Sequence, residues 1–88
     1  MKRSRKEKTM PEYFYTTMEN QKRNDGAGLL YDHFFEDPQQ TNSALNRAYA
    51  KYFTICAAAA VSEIPYHAAM LLRSDGVVME QKVFDRRE

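Results

Sequence analysis

Eighty-eight residues with 13 Lys and Arg against 12 Asp and Glu make a chain of formal net charge +1. A chain of this length buries only somewhat more than about 60% of its unfolded surface, which excludes a large enclosed active-site cavity and leaves one small core. Six Tyr and five Phe beside three Gly and three Pro exclude a low-complexity chain, and the single Cys56 excludes an intrachain disulfide.

The charge is unevenly placed. Lys2, Arg3, Arg5, Lys6 and Lys8 stand against Glu7 within the first ten residues, a local +4 that leaves −3 for residues 11–88. This predicts a basic flexible arm over residues 1–10 and a single small globular domain over 11–88, with phosphate contacts concentrated on the arm rather than spread over the acidic body. The absence of a secretory pattern and of an apolar run near about 18 residues makes a soluble, intracellular chain with no membrane partner the expectation.

In chain order, Pro11 to Met18 is ambiguous. Thr9 ahead of Pro11 suits a helix start, whereas the aromatic and Thr run suits a strand, and helix is preferred. Asn24-Asp25-Gly26-Ala27-Gly28 reads as a turn. Leu29 to Phe35 reads as a short helix because Leu30 and Phe34 fall one turn apart. Asp37-Pro38-Gln39-Gln40 carries the marks of a helix start, with Ser43 as an alternative cap, and the helix runs to Ala60. Ala48, Ala59, Tyr52, Leu45, Cys56, Tyr49 and Ala60 fall on one arc of about 120°, opposite Asn46, Arg47, Lys51 and Thr54. That stripe of Tyr and Ala is the predicted core face.

Ser62 suits the cap of a further helix, Pro65 fits its first turn, and Ala68, Ala69, Leu71 and Leu72 continue it until Gly76, after which Val77 to Phe84 reads as a strand. Helix, short turn at Val61-Ser62, helix and strand in this order resemble a winged helix-turn-helix domain. The competing arrangement pairs Ala68–Arg73 with Val77–Phe84 as a hairpin through Ser74-Asp75-Gly76. The fold class expected is therefore mostly α with a small β element (α+β), its C-terminal half helix-turn-helix-like with a short strand or hairpin.

The resemblance implies that Tyr66, His67 and Arg73 face nucleic acid from the second helix, with Lys82, Arg86 and Arg87 near the wing. The charge of Lys2, Arg3, Arg5, Lys6 and Lys8 suits contacts to phosphates, with a solubilising tail or a targeting signal as the alternatives. The bland reading of Tyr66 and His67 is local packing at a helix start. Cys56 on the apolar stripe reads as an inert buried thiol. His33, Glu36 and Asp37 have a spacing that could share a metal but lack further ligands, so solvated surface is favoured. Gly26-Ala27-Gly28 lacks the Gly-Lys-Ser/Thr ending of a phosphate loop, and no Ser, His and Asp grouping stands out. No catalytic, cofactor or metal site is expected. The function expected is a small intracellular nucleic-acid-binding regulator or accessory factor with a basic arm. The alternative is a small adaptor or inhibitor that binds a protein, or a second copy of itself, through Tyr, Phe and Met side chains.

Overall fold

A computed structural model describes residues 12–87. Lys2, Arg3, Arg5, Lys6 and Lys8 lie outside the described residues. Two β-hairpins flank one helix: β1 (Tyr15–Arg23), β2 (Gly26–Phe34), α1 (Ala44–Val61), β3 (Tyr66–Arg73) and β4 (Val78–Asp85). The strands form a single antiparallel sheet in the order β2-β1-β3-β4, and α1 lies across one face, mainly over β1 and β3.

This corrects the expected fold class. The described residues are mostly β, without a helix-turn-helix, and three segments given a helical reading are strands, the third of them in the competing hairpin of Ala68–Arg73 with Val77–Phe84. In the first, the aromatic and β-branched residues Tyr15, Thr16 and Thr17 prefer a pleated surface. In the second, Leu30 and Phe34 sit on one face by the period of two that a strand also satisfies. They pair with Glu19 and Tyr15 of β1. In the third, alternation decides: His67, Ala69 and Leu71 are buried while Ala68, Met70 and Leu72 are only half-buried.

Ser62 and Gly76, taken as the cap and stop of a second helix, do other work. Ser62 ends α1, with its N–H bonded to the Ala59 carbonyl at 3.3 Å, and its hydroxyl accepts from Ile64 N at 2.9 Å. Gly76, at φ +92°, turns the β3–β4 hairpin and donates to the Arg73 carbonyl at 2.8 Å.

The central helix stands, with shifted limits. It starts at Ala44, because the Ser43 hydroxyl accepts from Asn46 N at 3.1 Å, and Pro38 belongs to the preceding turn. Its buried residues are Ala44, Ala48, Tyr52, Ile55 and Ala59. Ala60 of the predicted stripe is exposed and Leu45 half-buried, so the buried face is rotated toward Ile55. Alanine allows this close approach of helix to sheet: Ala48 and Ala59 are fully buried, and Ala69 of β3, at 1% exposure, belongs to the same core cluster as Ala48. Tyr52, Ile55 and Leu71 fill the rest, with Phe34, Cys56 and Met79 packed around them.

The end of α1 has no glycine cap. The Arg86 guanidinium instead donates to the carbonyls of Ala59 at 2.9 Å, Ala60 at 3.3 Å and Ile64 at 3.4 Å. Arg86→Met keeps the stem and removes those donors, and is expected to cost about 1–2 kcal/mol of stability in urea titration. A loss below about 0.5 kcal/mol would show that water serves those carbonyls equally well.

Candidate functional site

One face of the sheet carries the helix and the other carries nothing among the described residues. Cross-strand register defines the uncovered face. Met18 lies beside Tyr31 on one side and Met70 on the other, Asn20 between Leu29 and Ala68, Thr16 between His33 and Leu72, and Lys22 next to Tyr66. From β4, Val83 and Gln81 extend the rows of Ala68 and Met70. Met18, Ala68, Met70 and Val83 line a shallow depression of about 130 Å³ at its middle.

The two ends of this face differ. At one, Phe14 and Phe35 stack with centroids 4.9 Å apart, and the His33 ring lies 6.3 and 6.4 Å from them. His33 is held there by a 2.9 Å hydrogen bond between Nδ1 and the Thr16 hydroxyl. At the other, Lys22 Nζ and the Arg87 guanidinium each lie 4.8 Å from the centre of the Tyr66 ring. Arg87 grips Asp85 with two hydrogen bonds of 2.9 and 2.8 Å, and these, with the Arg87 backbone N–H, pull the Asp85 carboxyl down to about 2.

Charge is segregated between the faces. The strand acids Glu19, Asp32 and Glu80 all share the register of the helix-side residues, leaving Asp85, neutralised by Arg87, as the acid of the uncovered face. Beneath the helix, His67 Nε2 donates to Glu19 Oε2 at 2.6 Å, with His67 only 3% exposed. His67 Nδ1 and Thr17 Oγ1 are buried without a partner. Burial raises the Glu19 carboxyl, but hydrogen bonds from His67 and Gln21 outweigh it and hold the group below its ordinary value.

The residues expected to touch nucleic acid are thus dispersed. Tyr66 and Arg87 meet on the uncovered face, joined by Lys22, which the sequence reading passed over. His67 is enclosed under the helix. Arg73, at the far end of β3, pairs with Asp75 at 2.9 Å and stacks on Tyr13 at 4.4 Å. Lys82 projects on the helix side beside Phe84, and Arg86 is engaged by the helix end. His33, Glu36 and Asp37 diverge: Glu36 accepts from Ala44 N and Asp37 from Gln39 N. Among the described residues no three His, Cys, Asp or Glu side chains group as a metal site.

Met18, Met70 and the Phe14–Phe35 pair were missed because each strand carries two interleaved apolar sets. Phe14, Thr16, Met18 and Asn20 form one such alternate set and Tyr66, Ala68, Met70 and Leu72 another. That period of two was the available signal. Against protein-family models, curated proteins and solved structures, the chain has no match. No helix of the described residues is long and apolar enough to cross a membrane.

Proposed function

We propose that the protein is a small, non-catalytic protein-binding module whose uncovered sheet face receives its partner. One observation carries this reading: the face combines Met, Phe, Tyr and Arg with an absence of unpaired acid at its centre. That is the composition that distinguishes interface cores from ordinary surface. Leu29, Tyr31 and Val83 around the centre are 46%, 53% and 45% exposed. Methionines at the middle suit a partner whose side chains repack against them.

A second reading, binding of single-stranded nucleic acid to the same face with Lys2, Arg3, Arg5, Lys6 and Lys8 on phosphates, is favoured by Tyr66 with its two flanking cations. The two readings separate by experiment. A photocrosslinking side chain placed at Met70 is expected to trap a protein from native extract, in nuclease-treated samples as in untreated ones, while one placed at exposed Asn46 on the helix does not. Met18→Lys, next to the crosslinker on the same face, is expected to weaken the capture at least about tenfold, and raising salt to change it little. Loss of the adduct on nuclease treatment, or a steep decline with salt, would overturn the protein reading in favour of nucleic acid.

A further inference from the structure

We propose that the outer edge of β2 pairs with the same edge of a second copy, joining two four-stranded sheets into one of eight strands. This goes beyond the partner reading and does not depend on it.

The two edges of the sheet are built differently. β4 is protected: its register shifts opposite Leu71 and Leu72, and it carries Glu80, Lys82 and Asp85, followed by Arg86 and Arg87. Such bulges and charges discourage strand addition. β2, with the sequence GAGLLYDHF, has no Lys, Arg or Pro, and runs in unbroken register with β1 for nine residues. Among the described residues nothing pairs with its outer side.

β2 is also apolar on both faces at its middle. Leu29, Leu30 and Tyr31 are consecutive, so they alternate between the helix side and the uncovered side, and they are 46%, 58% and 53% exposed. A long, flat edge strand with exposed apolar residues and no guarding Lys, Arg, Pro or bulge is a template for pairing with another chain. The helix, lying mainly over β1 and β3, does not screen the edge.

Hydrogen bonding fits the same arrangement. The Asn24-Asp25 loop closes on the pair Arg23–Gly26, and bonded pairs alternate from there, so Gly28, Leu30 and Asp32 bond inward to β1. The N–H and C=O groups of Ala27, Leu29, Tyr31 and His33 point outward. A two-fold axis at Leu30 sets Leu29 against the partner's Tyr31 and Gly28 against the partner's Asp32. The one fully charged residue of the strand then faces a glycine, and no like charges meet.

A second copy is the occupant these observations select. It supplies an identical, self-complementary edge, whereas the basic segment from Lys2 to Thr9 holds no apolar residue to lay on Leu29, Leu30 and Tyr31. The ladder is about 30 Å long, and a contact made by one edge strand from each copy is a small one, so dissociation is expected on dilution. Helices would lie on one side of the joined sheet and both uncovered faces, side by side, on the other.

Sedimentation equilibrium of the full chain between about 1 and 200 µM is expected to show a mass rising from 10.3 kDa toward twice that value. Leu29→Pro removes an outward donor without touching the β1 ladder, and is expected to weaken dimerisation at least about tenfold with circular dichroism unchanged. Independently, Leu30→Cys in a Cys56→Ala background is expected to form an intermolecular disulfide on oxidation, because residues facing each other across such an axis lie about 4.5 Å apart. Val83→Cys on β4 is expected to stay unlinked. A monomer at every concentration would overturn the proposal. So would a dimer that survives Leu29→Pro and is lost with Met70→Lys, since that places the second copy on the uncovered face.

Discussion

Leu71→Ala is expected to remove about 3–5 kcal/mol of folding stability. Leu71, at 0% exposure on the central strand β3, packs in one cluster with Tyr52 and Ile55, and that core has few other large members. Truncation loses the transfer free energy of the side chain and leaves a cavity that a sheet held by register on both sides cannot close. Against the roughly 5–15 kcal/mol that natural domains possess, that is a large fraction, and the variant should be partly unfolded near body temperature. Urea denaturation followed by circular dichroism measures it, with Val61→Ala, at a site 83% exposed, as a control expected within about 0.5 kcal/mol of the parent. Leu45→Ala, half-buried at the margin of the helix face, is expected to cost about 1–2 kcal/mol. A Leu71→Ala loss below about 1 kcal/mol would mean that the helix does not cover this face of the sheet.

The second large effect concerns Glu19 and His67. Glu19→Ala leaves the imidazole enclosed with neither ring nitrogen bonded, and is expected to cost about 2–4 kcal/mol at neutral pH. Replacing both residues by leucine removes the polar groups together and is expected to restore most of that loss. Their non-additivity measures the coupling.

The pair also has a pH signature. The folded carboxyl lies below its ordinary 4.5, so the folded state binds the Glu19 proton less readily than the unfolded chain does. Its contribution is complete above about pH 4.5 and is lost as pH falls from there through the lower folded value. The stability difference between the parent and Glu19→Gln should therefore shrink as pH falls below about 4.5. A difference independent of pH down to 3 would show that the carboxylate charge is not what holds His67.

How much of this was legible in the residues depends on range. The helix was readable because its signals are local: the Ser43 cap and an apolar stripe from Ala48 through Tyr52 to Ala59 lie within one segment. Leu29–Phe35 was misread, and Ala68–Leu72 stood open between helix and hairpin, because a short apolar run satisfies both periods and the choice is made by neighbours distant in sequence. His67 shows the same limit for the site. As a residue beside Tyr66 it suggested a surface contact, but the strand's alternation sends the two to opposite faces, and Glu19, 48 positions away, receives the imidazole.

By itself the sequence determined the size, the segregation of five cations into the first ten residues, the lone thiol, the central helix and the turns at Asn24-Asp25 and Asp75-Gly76. These are properties of composition or of neighbours a few bonds apart. Tertiary structure alone decided that β1 and β3 lie side by side, that the helix covers one face and leaves Met18 and Met70 on the other, and that β2 stands unprotected at an edge. The physical reason is that strand pairing is a long-range contact: Tyr15 meets Arg73 and Lys22 meets Tyr66 only when the whole chain closes. Which side of a strand is buried is settled at that closure and not before.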